Sequence, residues 1–346
     1  MRSALLAWYD ATRRALPWRA PPGVRPDPWA VLVSEVMLQQ TTAATVARRF
    51  PLFVQRFPTP AALAGSSLEE VLVAWQGLGY YRRARSLHAC AQRLVAEHDG
   101  RVPDSLDALR ALPGLGAYTA AAVAAIAFDR PVLPVDGNVA RVGARLLGLA
   151  LPADRVRAPV AAGLAPLAHG ERPGDVAQAL MELGALVCRP RAPSCSCCPV
   201  RGFCRAAESG RARDIPARPS RRAVPVRSTM AFFLRRADGA ILFRRRPDDV
   251  PLGGMIELPS SPWGEERSLD EHLAHAPAPG PWEPLPGEVR HRFTHFELRV
   301  RLARGTAEVA PSGFWLAPET LSEVPVPTLT RKLLARLGVV VPHRGR

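Results

Sequence analysis

Five of the six cysteines in this 346-residue chain fall between positions 188 and 204. Cys188, Cys195, Cys198 and Cys204 follow the spacing C-x6-C-x2-C-x5-C, with Cys197 as an extra thiol between them. Four thiolates on one short loop can wrap a single metal centre. Zinc favours paired C-x2-C knuckles and iron–sulfur clusters accept less regular spacings, so the spacing alone leaves both open. Pro190, Pro193 and Ser194 offer no core in which unligated cysteines would be buried. Cys90, on a distant helical segment, reads as a core residue.

Two carboxylates sit where they could do acid–base work. Glu35 lies in WAVLVSEVMLQQTT (29–42), with Val31, Leu32 and Leu38 on neighbouring turns of its face if the segment is helical. Desolvation there disfavours the charged form and leaves the carboxyl a proton to give. The plainer alternative is a paired or solvated glutamate at a helix edge. Asp136, in PVDGNVAR (134–141), reads equally well as an N-cap for a helix from Val139. In LPGLGAYT (112–119), Gly114 and Gly116 precede an alanine-rich helix, whose free N–H groups and dipole suit a phosphate, although a plain helix–helix turn looks the same.

These residues need a scaffold, and composition bounds it. The length suggests two domains. The net charge is +15, from 46 basic and 31 acidic residues, and Lys332 is the only lysine. Such an arginine surplus favours a polyanionic partner, with a GC-rich genome as the neutral explanation. No apolar stretch approaches the roughly 18 residues of a membrane span. Trp8, Tyr9, Asp10 and Arg13 stand where a signal peptide would carry its apolar core, so a cytoplasmic protein with no membrane partner is expected.

Up to about residue 205, Ala-, Leu-, Val- and Arg-rich segments broken by Pro and Gly predict an all-α half. Helices are predicted over 28–50, 67–75, 82–97, 118–128, 138–147 and 175–188, with turns at 77–79, 113–116 and 136–137. Residues 206–228 turn to Arg, Pro, Ser and Ala and predict an exposed linker. Beyond it, 229–234, 240–243 and 296–302 are short and partly alternating, as strands are, and a helix is predicted near 329–337.

The motifs SEVMLQQT, GLGYYRRAR, LPGLGAYTA, VDGNVARV and the four-cysteine loop, in this order, resemble the MutY adenine DNA glycosylases of the endonuclease III superfamily. The N-terminal LLAWYDATRRALPWR and the C-terminal third are similar to the same family, so the resemblance covers nearly the whole chain. It implies a multidomain chain: an all-α helix-hairpin-helix glycosylase domain over 1–205, with a six-helix lobe at about 23–130 and a cluster-bearing lobe from 1–22 and 131–205. After the 206–228 linker, it implies an α/β MutT-like (Nudix-like) domain over 229–343 that reads 8-oxoguanine.

The resemblance further implies one 4Fe-4S cluster on Cys188, Cys195, Cys198 and Cys204, structural in role. It implies a monomer acting on double-stranded DNA with A:8-oxoguanine or A:G mispairs, as a bacterial protein associated with the nucleoid. Glu35 would protonate adenine and Asp136 would stabilise the sugar cation, with Tyr118, Asn138 and Glu182 lining the pocket. Gln40 and Tyr80 would enter the duplex, with Gln39, Thr41 and Leu78 beside them. Arg82, Gly114 and Gly116 would contact the DNA backbone, while Phe293, Thr294 and His295 take the place of the family's Phe-Ser-His lesion-reading loop.

Tyr118 stands where lyase members carry lysine, and a β-lyase needs an amine nucleophile, so base removal without strand cleavage is expected. A thymine-glycol type lyase needs that lysine. A non-catalytic DNA binder leaves Glu35 and Asp136 together unexplained. A pyrophosphatase lacks its signature, since 260–273 offers only Glu265, Glu266, Asp270 and Glu271.

Overall fold

The computed structural model of the chain describes residues 1–21, 23–217, 224–306 and 312–341. Residues 218–223 of the expected linker and 307–311 and 342–343 of the expected C-terminal domain lie outside the described residues. The chain forms two compact units, Met1–Gly65 with Ser86–Arg221, and Ser66–Arg85 with Arg222–Arg346.

The first unit opens with helices α1 (Arg2–Thr12), α2 (Pro28–Leu38), α3 (Ala43–Arg56) and α4 (Pro60–Ala64). Helix α5 (Leu68–Ala74) and the first turn of α6 (Arg82–Glu97) are counted with the second unit. The first unit continues through α7 (Leu106–Ala111), α8 (Ala117–Phe128), α9 (Gly137–Leu147), α10 (Arg157–Leu164), α11 (Pro173–Leu186) and α12 (Arg205–Glu208). Helix α2 is its spine: Asp27 caps it by accepting from Trp29 N at 3.0 Å, Pro28 opens it, and every residue from Val31 to Met37 is buried. It packs on α8, where a run of alanines lets the two backbones approach. Helix α11 packs against α1, α8 and α9, and Gly184 is its point of closest approach to α9. A Cβ there would lie 2.5 Å from Asn138 Cβ, which seats Asn138 against α11.

The predicted helix over 28–50 is two helices, and the break is local in origin. Gln40 takes a left-handed φ of +57°, and Thr42 caps α3 by accepting from Thr45 N at 3.3 Å. The exposed-linker expectation for 206–228 is also corrected. Ala206, Ala212 and Ile215 are buried in the first unit's core, Ala217 N donates to Leu151 O at 3.0 Å, and Val226 already begins a strand. Three apolar side chains among many arginines are enough to dock this stretch, because each meets a ready-made core.

In the second unit the strands are β1 (Val226–Arg235), β2 (Ile241–Arg245), β3 (Ile256–Glu257), β4 (Glu283–Arg292), β5 (Glu297–Thr306) and β6 (Phe314–Leu316). Their order is β3-β2-β1-β5-β4, with β6 also on β2. Strands β1 and β5 pair in parallel from Val226↔Glu297 to Arg235↔Thr306, and the other pairs are antiparallel. Both faces of β1 are covered, since Ala231 and Phe233 enter one apolar cluster while Met230 and Phe232 enter another with Leu273 and Trp282. That explains a continuous apolar run where alternation would mark a one-sided strand. Helices α13 (Leu269–Leu273) and α14 (Thr328–Arg336) complete the unit. Strand β4 escaped the sequence pattern because Pro284, Pro286 and Gly287 sit inside it, at a register shift between Leu285 and Val289.

Candidate active site and cysteine loop

A cavity of about 630 Å³ in the first unit is lined by Glu35 from α2, Tyr118 from α8, Asp136 and Asn138 at the start of α9, and Glu182 from α11. All five residues singled out in the sequence for chemistry meet there, with Gln39, Gln40 and Thr41 at the α2–α3 break. Glu35 is buried, and the Tyr118 hydroxyl donates to its Oε2 at 3.1 Å. Burial pushes the Glu35 carboxyl up to about 7, against the lowering pull of the Tyr118 hydrogen bond. The Asp136 charge adds to the rise and the Arg19 charge opposes it. Tyr118 is driven upward by burial and by the charges of Glu35 and Asp136, so its hydroxyl stays a donor.

Asp136 is both an N-cap and a member of the cavity. Its Oδ1 accepts from Val139 N at 2.7 Å and its Oδ2 from Asn138 Nδ2 at 3.0 Å, which fixes the carboxylate at the cavity wall. Asn138 is held in turn: its Oδ1 accepts from Arg141 Nη2 at 2.8 Å, and Arg141 Nε donates to Cys188 O at 2.9 Å.

Glu182 has no exposed side-chain surface. Arg14 donates to it through Nε at 2.7 Å and Nη2 at 2.8 Å, and Arg19 Nη2 donates at 2.8 Å. Burial alone would raise this carboxyl, but the Arg14 and Arg19 hydrogen bonds and the Arg19 charge outweigh it and hold the group at about 2. Two carboxyls in one cavity are therefore split, Glu35 able to hold a proton near neutral pH and Glu182 ionised there. Arg14, Arg19, Gln178 and Arg157 also line the cavity and carry no assignment in the sequence reading; the Leu16-Pro17-Trp18-Arg19 stretch was the available signal.

Gly114 has a φ of +79°, and a Cβ there would meet Ser86 Cβ at 2.5 Å, so only glycine fits. Gly116, the N-cap of α8, has an ordinary φ of −73° and open space where a Cβ would project. The fold does not require glycine there, and its absence of side chain leaves the helix start open to an anion.

The sequence-predicted residues of the second unit divide. Tyr80 is exposed at a φ of +47°, whereas Tyr81 is buried. Leu78, expected beside Gln40 and Tyr80 at the DNA, is buried at 4 % exposure, because the turn folds it inward. Arg82 is exposed. Arg83 is buried under the turn, donating to Leu78 O at 2.9 Å with its guanidinium 5.3 Å from the Trp75 ring centre. Arg85 donates to Asp248 at 2.6 Å and Gly253 O at 3.1 Å. Phe293 is half-buried at the β4–β5 turn while Thr294 and His295 are exposed, and the Thr294 hydroxyl hydrogen-bonds that of Tyr80.

Cys188, Cys195, Cys198 and Cys204 line one small apolar hollow with Arg145. Cys197 is exposed, contacts Ser194 O at 3.3 Å, and is not among the hollow's walls. Arg145, at 2 % exposure, donates to Cys188 Sγ at 3.2 Å, to the carbonyls of Arg189 at 2.8 Å and Pro190 at 3.0 Å, and to Ile215 O at 2.8 Å. A buried, fully engaged cation facing an all-sulfur donor set suits an anionic thiolate-bound group. Among the described residues no group of three or more His, Cys, Asp or Glu side chains is set to hold one metal ion. Arg189, Arg191, Arg201 and Arg205 are exposed around the hollow.

Residues 33–157 match the family model of the HhH-GPD superfamily base excision DNA repair proteins, and residues 230–336 match the NUDIX domain model. The chain is 36% identical to an adenine DNA glycosylase of Rattus norvegicus, over 96% of this chain and 77% of that one. It is 36% identical to the adenine DNA glycosylase of Homo sapiens, over 96% of this chain and 73% of the relative. An adenine DNA glycosylase of Mycobacterium tuberculosis is 49% identical over 57% of this chain and 64% of its own. Among solved structures, a thermostable thymine-DNA glycosylase superposes with a TM-score of 0.54 at 29% identity, covering 60% of this chain and 95% of that one.

Proposed function

Because the chain belongs to the adenine DNA glycosylase (MutY) family, we propose that it removes adenine mispaired with 8-oxoguanine or guanine from duplex DNA, by hydrolysis of the N-glycosidic bond in base excision repair. The observation that carries this reading is a buried carboxyl, Glu35, held at about 7 in a cavity that also presents the capped carboxylate of Asp136. Breaking an N-glycosidic bond expels a poor leaving group and makes an oxocarbenium-like sugar, so it needs a proton on the base and a negative charge near the anomeric carbon.

Protonated Glu35 gives its proton to N7 of the extruded adenine. As the bond lengthens, the Asp136 carboxylate stabilises the sugar cation until water adds. Asn138 keeps Asp136 turned into the cavity, and Tyr118 steadies Glu35. Glu182, ionised and clamped by Arg14 and Arg19, supports the base and the water. Tyr118 at the hairpin helix, with Lys332 on α14 of the other unit as the only lysine, supports release without strand cleavage.

Extrusion of adenine leaves a gap in the stack. Gln40 and Tyr80, each exposed and each held at positive φ, are the side chains that fill it. The open N-terminus of α8 at Gly116 and exposed arginines including Arg82 hold phosphates. Phe293, Thr294 and His295 read the base opposite adenine, the Thr294 hydroxyl serving as hydrogen-bonding group. One 4Fe-4S cluster held by Cys188, Cys195, Cys198 and Cys204 supplies a rigid centre for the arginine-rich loop and takes no part in the bond cleavage.

Single-turnover adenine release from a duplex with one adenine opposite 8-oxoguanine tests the reading, comparing wild type with Glu35→Gln and scoring strand breaks with and without alkali. Release by wild type alone, with breaks only after alkali, is expected. No release by wild-type protein carrying its cluster would overturn the catalytic assignment, and alkali-independent breaks would overturn the hydrolytic one.

A further inference from the structure

The turn that presents Thr294 is held from behind by a row of rings. Phe293 N donates to Phe296 O at 2.9 Å, and the two rings stack with centroids 4.6 Å apart at 22°. Trp263 packs against both, at 5.5 Å from Phe293 and 6.2 Å from Phe296. Arg246 also lies over the indole, its guanidinium carbon 3.9 Å from the ring centre. That guanidinium cannot drift, because it is buried, ion-paired with the buried Glu257, and donates from Nε to Pro251 O at 2.8 Å. Arg227 covers Phe296 from another side at 4.5 Å.

The physical consequence is a chain of constraint that ends at an exposed hydroxyl. A desolvated cation over an indole face is among the stronger aromatic contacts, and ring–ring contacts are geometry-selective, so each ring fixes the next. Phe293 is the covalent neighbour of Thr294, and the His291 ring packs edge-on against it as well, at 4.8 Å. Thr294 itself is exposed and its hydroxyl hydrogen-bonds that of Tyr80, so its direction depends on that bond together with how firmly Phe293 seats the backbone of the turn.

We infer that Trp263, clamped by Arg246, is a positioning residue for lesion discrimination: it sets the direction in which Thr294 is offered to the base opposite adenine. This rests on the reading of the Phe293-Thr294-His295 turn as the lesion-contacting loop. Neither Trp263 nor Arg246 touches the base. They act by holding Phe293, and their effect belongs to the choice between 8-oxoguanine and guanine, since the bond-breaking residues lie in the other unit.

The test uses the full-length, cluster-loaded protein and single-turnover adenine release from duplexes with adenine opposite 8-oxoguanine and opposite guanine. Trp263→Leu, which keeps apolar bulk without the ring, lowers the ratio of the two rates by about 2- to 10-fold, the range an aromatic pair's geometry carries. Trp263→Phe restores most of the ratio. Thr294→Ala also lowers it, and adding Trp263→Leu to Thr294→Ala lowers it no further, as required if one residue acts through the other. A ratio lowered by Thr294→Ala but untouched by Trp263→Leu overturns the inference and leaves the loop reading intact. Equal loss of both rates in Trp263→Leu also overturns it, by showing a general packing role. A ratio unmoved by Thr294→Ala overturns the loop reading, and the inference with it. Should Trp263→Leu not fold, Arg246→Met removes the clamp from behind and is held to the same outcomes.

Discussion

The Tyr118 hydroxyl donates to Glu35 Oε2 at 3.1 Å, and this bond works against the burial that lifts the carboxyl to about 7. The proposed proton donor is thus set by opposed influences, of which burial and the Tyr118 bond are the largest, and a single substitution removes the second.

Tyr118→Phe deletes the larger of the two lowering influences, so the Glu35 pKa rises further. In the proposed role Glu35 acts in its protonated form, and the rate of adenine release therefore falls off at higher pH in the variant, displaced by about one pH unit. A single-turnover pH–rate profile measures this. An alkaline limb that stays in place would mean that Tyr118 does not tune the acid.

Glu35→Gln removes the proton donor and slows release by at least about 100-fold. It also changes how stability depends on pH. With the folded pKa raised from 4.5 to about 7, the wild-type carboxyl contributes fully below 4.5 and its contribution is lost as pH rises through 7. Glutamine cannot ionise, so from pH 5 to pH 8 the variant gains on wild type by roughly 3 kcal/mol. Urea unfolding at the two pH values checks this, and a pH-independent difference would mean that Glu35 titrates normally.

Arg141 ties the cysteine loop to the Asp136 carboxylate through Cys188 O and Asn138, with distances of 2.9, 2.8 and 3.0 Å along the chain. Arg141→Met leaves Asn138 free to turn away from Asp136. Losing one charge-assisted bond costs about 1.5–3 kcal/mol, which translates to a rate of adenine release lower by about 10- to 100-fold. The visible absorption of the purified protein is expected to persist, since Arg145 still holds the loop. A wild-type rate in Arg141→Met would show that Asp136 needs no such support.

Arg145→Met has the opposite signature. It removes the donor to the buried Ile215 carbonyl, to the part-buried carbonyls of Arg189 and Pro190, and to Cys188 Sγ. A loss of about 1–3 kcal/mol in stability is expected from the unsatisfied carbonyls, together with loss of the visible absorption that the proposed cluster would give. Denaturant unfolding and a spectrum on the same preparation decide it. Retained absorption at undiminished stability would make Arg145 dispensable to the loop.

Much of the scaffold could be read along the chain because its signals are local. Helix α6 occupies 82–97 as the periodicity predicts, and Asp136 caps α9 as an aspartate before a helix should. The burial of Glu35 followed from the apolar residues that share its helix. The same locality misled where a turn reversed the chain: a continuous pattern over 28–50 concealed the break at Gln40, and Leu78 reads as exposed next to Tyr80 until the turn is seen to fold it inward.

By itself, the sequence determined most of the helices around the cavity, the thiols that share a loop, and the carboxylates available for acid–base work, because caps, periodicity and ligand spacing are set by residues within one or two turns of each other. Only the tertiary structure decided which carboxyl keeps its proton. Glu182 is held ionised by Arg14, 168 positions earlier, and by Arg19, while Glu35 meets a tyrosine 83 positions later. Those pairings depend on how α2, α8, α9 and α11 cross, and crossing is settled by side-chain packing over the whole unit, such as the seat that Gly184 leaves for Asn138. The docking of Ile215 into a distant core and the row from Arg246 through Trp263 to Phe293 have the same origin. Each is a contact between residues whose neighbours in sequence carry no mark of it.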